Sequence, residues 1–359
     1  MKRFVAILLI ILVTAFILLR VIRAKVGHDL SQPIAQPPLS PSPTLVIGPL
    51  TQTQTSLFVP SWALDSVSGN YDQYIYFGVS PTQDGINEDD STVKDIPTFL
   101  SAVPQGKQTL LALEMVDSDT NGAILQNKSV QQKIISQTVS LAKTNGFSGI
   151  VLDLEMSGLP FDSLVNEING FTKSLDTQSK AQHLSFDVTL YGDTFYRVRP
   201  FDVKTMAANA DKVMIMAYDF SKTRSGPGPN FPLSGQNVYG YDLSKMADDF
   251  LQVVPNQKIE VIFGLFGYDW PVDNGGNAIG EGQPLTDLQI QNKFLSQCSF
   301  KDCQIIHDPL SAETEVKYTD TNNQKHIVWF EDMQSVNMKE QYLRKRGIGS
   351  FSFWANSYF

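Results

Sequence analysis

Two carboxylates stand two residues apart in the run Ser148-Gly149-Ile150-Val151-Leu152-Asp153-Leu154-Glu155. In an extended strand alternate side chains share a face. Gly149, Val151, Asp153 and Glu155 therefore point one way, and Leu152 and Leu154 the other. Acids set side by side in a partly desolvated place raise each other's pKa, so one can stay protonated and deliver a proton. A bare Asp-x-Glu also suits the solvated end of a strand, so the pair needs context. Met216-Ala217-Tyr218-Asp219 ends a second apolar run, Tyr268 and Trp270 follow a third, and Trp354 ends a fourth. Tyr76 and Glu114 lie in two earlier runs. Aromatic rings gathered around acids suit stacking against sugar rings, although each ring alone reads as well as core packing.

Bringing these residues together takes a repeating scaffold. Short apolar runs at 57–62, 74–79, 108–114, 148–155, 184–190, 212–218, 259–266 and 348–354 read as strands. Helical spacing fills most of the gaps, as at 129–145, 161–178 and 242–254. This alternation predicts a parallel sheet, and eight such units in about 300 residues predict an α/β fold, a (β/α)8 TIM barrel. Its site lies at the C-terminal ends of the strands. The stretch 267–332, before a last helix at 333–346, breaks the pattern. A helix-like piece near 286–296 and strand-like pieces at 315–318 and 326–329 predict a small α+β insertion over the barrel mouth. With Phe359 close behind the eighth strand, the eighth helix is expected to be missing or a stub.

The 359 residues are 42% apolar and 18% charged, enough for one large domain. Net charge is −9, and Lys2, Arg3, Arg20, Arg23 and Lys25 all precede the expected domain, which is more acidic still. That argues against nucleic acid and for a neutral substrate. Cys298 and Cys303 cannot make a zinc site alone, and no metal or cofactor is expected. They could close a small disulfide loop or remain two free thiols. Residues 4–19 carry no charge; with Val21 and Ile22 beyond Arg20 the segment reaches bilayer length. For residues 1–25 an uncleaved membrane anchor is favoured over a cleaved signal peptide. Either reading puts the barrel outside the cytoplasm. Residues 26–55, rich in Pro, Ser and Thr, read as a spacer, leaving 56–359 for the barrel.

The combination resembles glycoside hydrolase family 18, the chitinase-like hydrolases, and within it the spore-germination type of cell-wall hydrolase. The family signature Asp-Gly-x-Asp-x-Asp-x-Glu is matched at 148–155, with Ser148 and Val151 in place of two aspartates. The family's Met-x-Tyr-Asp is matched at 216–219. The stretches 225–229, 267–270 and 328–332 and Trp354 are similar to the subgroup, although Phe266 stands where it tends to have tyrosine. The likeness covers about 57–354 and implies a retaining mechanism in which the substrate assists. Glu155 would protonate the leaving oxygen, and Asp153 would hold the acetamido N–H and stabilise the oxazolinium ion. Tyr218 would hydrogen-bond the acetamido oxygen, with Asp219 orienting its neighbours and Trp354 flooring the −1 sugar. Met216, Tyr268, Trp270, Tyr76 and Glu114 would complete the substrate site. Val151 removes a carboxylate that would share a proton with Asp153 from below. The resemblance implies a hydrolase of β-linked N-acetylhexosamine polymers, peptidoglycan or chitin, with no cofactor; a monomer is expected. Two other readings stay open: a carbohydrate-binding protein with little turnover, and a two-carboxylate glycosidase using Glu114 or Asp219 as nucleophile.

Overall fold

A ring of parallel strands forms the centre of the computed structural model, which describes residues 53–359. The strands are β1 (Gln54–Pro60), β2 (Gln73–Val79), β3 (Gln108–Met115), β4 (Gly149–Leu154), β5 (Ser185–Tyr191), β6 (Lys212–Ala217) and β7 (Ile259–Gly264). The last strand, Ser350–Trp354, pairs with β7 on one side and β1 on the other and closes the ring. The expected eight-stranded barrel is therefore present. The segment read as an anchor or signal, and nearly all of the spacer, lie outside the described residues. Among the described residues no helix is long and apolar enough to cross a membrane.

Period-two patterning builds two apolar layers. Ile150, Leu152 and Leu154 of β4 and Phe186, Val188 and Leu190 of β5 face outward onto the helices. Phe58, Ile75, Leu110, Ala112, Val151, Met214 and Ile262 face inward and fill the barrel. The helix Lys128–Thr144 shows how the outer layer is met. The Asn127 side chain accepts the Ser129 and Val130 backbone N–H groups and starts the helix. Its buried stripe then runs Ile134, Ile135, Thr138, Val139 and Ala142. Gly146, at φ 75°, turns the chain toward β4. Between β4 and β5 the approach is so close that a Cβ on Gly149 would lie 1.9 Å from Ser185 Oγ. The alternation is incomplete at β1, where a single 3-10 turn, Ser61–Ala63, stands in place of a helix.

The lower end of the barrel is polar. Lys212 Nζ donates to Gln54 Oε1 (2.5 Å), Ser350 Oγ (2.7 Å) and Glu260 Oε2 (3.0 Å). Asp187 is buried nearby. Burial, with Glu260 adding to it, lifts its carboxyl to about 8.

Most strand boundaries shift by a residue or more, and two of the shifts matter. The first strand spans 54–60 rather than 57–62, and the seventh ends at Gly264 rather than 266. Phe266 opens a new strand, β8 (Phe266–Val272), because the chain leaves the barrel at Leu265. The expected insertion follows, richer in strands than its sequence suggests. β8, β9 (Gln283–Thr286), β10 (Lys301–His307), β11 (Thr314–Thr319) and β12 (Lys325–Phe330) form an antiparallel sheet of order β10-β11-β12-β8-β9. The helix near 286–296 is present in part, as Asp287–Ile290 continuing into a widened turn. One sheet face packs Val316, Tyr318, Val328 and Phe330 onto Ile290 and Phe294. The other gathers Phe266, Tyr268, Trp270, Ile327 and Trp329 and leans on Tyr218 and Trp354 of the barrel. Cys298 and Cys303 are joined as a disulfide at the start of β10. After the helix Met333–Arg344, the closing strand, β13, ends at Trp354, and among the described residues 355–359 form no helix.

Candidate active site

Glu155 is the first residue beyond β4. Its backbone N–H donates to Met115 O at 2.8 Å. Buried Asn121 ties the same two strand ends together, donating to Met115 O (2.6 Å) and Glu155 O (2.9 Å). Asp153 points inward one layer lower and is 4% exposed. Across the sheet Asp153 pairs with Glu114 of β3, so three carboxyls meet at one side of the mouth. Burial, then the neighbouring Glu155, push the Asp153 carboxyl up to about 7. Burial also raises Glu155, opposed by the Tyr191 hydrogen bond and the positive charge of Lys222. Glu114 is raised by burial as well, against a hydrogen bond from Ser80. All three carboxyls are thus shifted toward holding a proton, chiefly by burial.

β5 supplies the partners of the pair. The Thr189 hydroxyl hydrogen-bonds Asp153 Oδ1, and the Tyr191 hydroxyl donates to Glu155 Oε2 at 2.7 Å. The Arg199 guanidinium lies 3.6 Å from the Tyr191 ring centroid and is itself bound to Asp193 Oδ1. No sequence motif singles out Thr189, Tyr191, Arg199 or Asn121. The alternation Ser185-x-Asp187-x-Thr189-x-Tyr191 was the available signal, because four polar residues on one face of a buried strand demand partners.

Opposite the pair, Tyr218 and Trp354 stack with centroids 6.3 Å apart and planes 19° from parallel. Phe58 and Phe77 back Trp354 at 5.6 and 4.8 Å. Met216 lies in the inner layer beneath Tyr218. Burial and the charges of Asp153 and Asp219 hold the Tyr218 phenol protonated, well above its ordinary value. Asp219 turns the chain at φ 57°, in the left-handed region. Its backbone N–H donates to Asn230 Oδ1 (2.7 Å), and its carboxylate accepts the Tyr268 hydroxyl (2.7 Å). Asn230 is fixed in turn by Glu313, buried with Lys339.

Glu155, Asp153, Glu114, Tyr218, Asp219, Met216 and Trp354 therefore come together, and Tyr268 reaches them through Asp219. Two sequence assignments do not hold. Tyr76 faces the helix layer: it packs on Phe99 with ring centroids 5.0 Å apart, and its hydroxyl donates to Thr92 O. Its neighbours Ile75 and Phe77 are the inward residues of β2. Trp270 is wholly buried inside the insertion, where a Cβ on Gly282 would come within 2.5 Å of its Nε1. Neither ring is open to a sugar. Two cavities flank the site. One of 540 Å³ opens beside Glu114, lined by Thr82, Gln83, Val116 and Thr120. One of 1020 Å³ lies between the loop after β6 and the insertion, lined by Tyr239, Asp273, Gln304, Lys317 and Trp329.

A parallel barrel with paired acids and an aromatic wall at its C-terminal mouth suits glycoside chemistry. The chain belongs to the glycosyl hydrolases family 18, whose sequence pattern matches residues 114–358. It is 26% identical over 290 residues to the cortical fragment-lytic enzyme of Bacillus anthracis, covering 78% of this chain and 63% of that one. The chain spans 52–63% of the lengths of four Bacillus relatives. Among solved structures, the spore cortex-lytic enzyme SleL of Bacillus cereus superposes with a TM-score of 0.68 at 20% identity, over 86% of this chain and 71% of that one. The family 18 chitinase of Cycas revoluta, solved with allosamidin, gives 0.72 at 20% identity, over 85% and 95%. At these identities the likeness to solved structures establishes the fold.

Proposed function

We propose that this chain is a retaining glycosidase that cleaves β-linked N-acetylhexosamine polymers, peptidoglycan or chitin-like, with the substrate's own acetamido group as nucleophile. The observation that carries this reading is the division of labour within one acid pair. Glu155 stands at the rim beside a half-buried tyrosine, whereas Asp153 is buried one layer below it, beside Tyr218. Glu155 protonates the leaving oxygen. Asp153 accepts the acetamido N–H and stabilises the oxazolinium cation as the acetamido oxygen closes on the anomeric carbon. The Tyr218 hydroxyl, protonated throughout, donates to that oxygen, and Trp354 carries the ring of the reacting sugar. Water then opens the oxazolinium ion, and Glu155 takes the water proton back. Names of relatives support this substrate class: one is a cortical fragment-lytic enzyme, another a chitinase.

A two-carboxylate route would need a nucleophile opposite Glu155, and both remaining acids are poorly placed for it. Asp219 is hydrogen-bonded to Tyr268, and Glu114 sits beside Asp153 on the same wall. A thiazoline mimic of the oxazolinium ion separates the routes. Tight competitive inhibition supports substrate assistance; a trapped covalent glycosyl-enzyme with no inhibition overturns it. New reducing ends released from peptidoglycan or from chitin oligomers identify the polymer. Binding without hydrolysis of either overturns the assignment as an enzyme. The apolar run at 4–19 supports placing the barrel outside a membrane to which it is tethered. Recovery of the full-length chain in the soluble fraction overturns the tether.

A further inference from the structure

Asp153 is a buried acid with no acid beneath it on its own strand; the buried Asp187 of β5 stands in register with Val151. The inward residue one layer below on β4 is Val151, fully buried against Leu110, Ala112 and Met214. The groups that face Asp153 are Glu155 at the end of β4, Glu114 from β3, Thr189 and Tyr191 from β5, and Tyr218 from β6. Glu155 is engaged with Tyr191. The hydrogen bond made by the Asp153 carboxyl comes from Thr189, itself 3% exposed. Leu152 O lies 3.5 Å from the same Thr189 hydroxyl.

A hydroxyl is both donor and acceptor. When Asp153 is ionised, Thr189 Oγ1 donates to Oδ1. When Asp153 takes up a proton, its O–H donates to Thr189 Oγ1, and the threonine proton turns to Leu152 O. No proton is gained or lost by the threonine in either arrangement. We propose that Thr189 is the positioning residue of this site, a neutral two-way partner that keeps the Asp153 carboxyl aimed at the mouth whether or not it carries a proton. The proposal rests on the reading of Asp153 as the group that handles the acetamido function. It puts on β5, beside Asp153, the partner that Val151 cannot provide from below.

The test uses Thr189→Val, which keeps the shape and removes the hydroxyl, and Thr189→Ser, which restores it. The Asp153 carboxyl carbon of the full-length protein is followed by NMR through a pH titration and assigned by its loss in Asp153→Asn. In Thr189→Val both forms of the carboxyl lose a bond, and the ionised form loses the stronger, charge-assisted one, so the titration should move up by about one pH unit. Thr189→Ser should titrate with the wild type. The pH–kcat profile should follow, its acid limb moving upward in Thr189→Val with KM within about twofold. Superimposable titrations of all three proteins would overturn the proposal. So would a Thr189→Ser protein that behaves like Thr189→Val while retaining the wild-type melting temperature. Should the wild type hydrolyse nothing, the functional reading falls, and the titration still decides whether Thr189 sets the state of Asp153.

Discussion

Tyr191 reaches across from β5 to donate its hydroxyl to Glu155 Oε2 at 2.7 Å, while Arg199 packs on the face of its ring. The hydrogen bond favours the ionised form of the residue proposed above as the proton donor. The Arg199 charge works in the same direction, and burial works against both. Glu155 is thus held between opposing influences rather than simply raised.

Tyr191→Phe keeps the ring under Arg199 and removes the donor. Glu155 should then hold its proton to higher pH, and the alkaline limb of the kcat/KM profile should move up by about one unit. The rate at the optimum should fall a fewfold, because the carboxyl loses its orienting bond. An alkaline limb that stays in place means the limb does not report Glu155.

How much of this was legible in the sequence depended on period and neighbourhood. The inward set Val151, Asp153 and Glu155 follows from alternation alone, as does the barrel. Residue type alone suggests Tyr76 for the site, although alternation within β2 turns it outward once Ile75 and Phe77 point in. Trp270 could not be placed, because its burial depends on Gly282, twelve residues on, folding over it. The break at Leu265 was hidden because apolar residues run without pause from β7 into β8, and only their pairing partners distinguish two strands from one. Thr189 lies in the strand read at 184–190 and Tyr191 one residue beyond it; polar alternation marks both as inward, but not what they bind. Their roles arise from adjacency of β4 and β5, which is a tertiary fact.

Stability should fall as pH rises through neutrality. Asp153 titrates near 7, and Asp187 and Glu331 near 8, all raised chiefly by burial. Each has a folded pKa above its unfolded value. The folded state therefore binds more protons between about pH 4 and 8, so this contribution is full below about 4 and is lost as pH climbs through 8. Hydrogen-bonded carboxylates such as Asp90, Asp202 and Asp320 are lowered and act in the opposite sense at more acid pH. The melting temperature should therefore peak in mildly acidic solution, about pH 4–5. Asp187→Asn, outside the site, should raise the melting temperature at pH 8 and leave it nearly unchanged at pH 5. The same increment at both pH values would show that Asp187 is not protonated in the fold.

Lys339 is fully buried between Glu313, at 2.7 Å, and Glu331, and Glu313 also accepts the Asn230 and Phe231 backbone N–H groups. Lys339→Met strands two carboxyls in the interior and should cost about 3–5 kcal/mol, read from denaturant unfolding. Asn230 also holds the Asp219 backbone, so the substrate KM should rise in the folded fraction. Loss of stability with no change in KM would confine the triad to tying the insertion to the last helix.

Glu155→Gln keeps the shape of the acid and cannot give up a proton. Turnover should fall by about 10²–10⁴, the range general-acid catalysis usually supplies. Stability should hold, because the amide oxygen can still accept from Tyr191. The variant should still bind N-acetylhexosamine oligomers, measured by calorimetry, since Trp354 and Tyr218 are untouched. Glycosides with good leaving groups need little protonation, so an activated aryl glycoside should be turned over far better than a natural oligomer. Equal losses on both substrates would place Glu155 elsewhere in the reaction.

Val151→Asp puts an acid into the apolar layer directly beneath Asp153. Val151 packs there with Leu110, Ala112, Met214 and Ile262, and its register partner on β5 is the buried Asp187. The new carboxyl should be buried neutral and lower stability by about 1–3 kcal/mol for its unmet hydrogen bonds, unless it shares a proton with Asp153. Sharing would make the two titrate as a pair, with one apparent pKa driven down and the other up. The acid limb of the pH–kcat profile should then broaden and move to lower pH, because one proton suffices for two carboxyls. Combined with Thr189→Val, the aspartate should recover part of the lost rate if a partner of either kind will serve Asp153. A double variant no faster than Thr189→Val would mean that the lower position cannot replace the threonine, and that β5 alone can hold this acid.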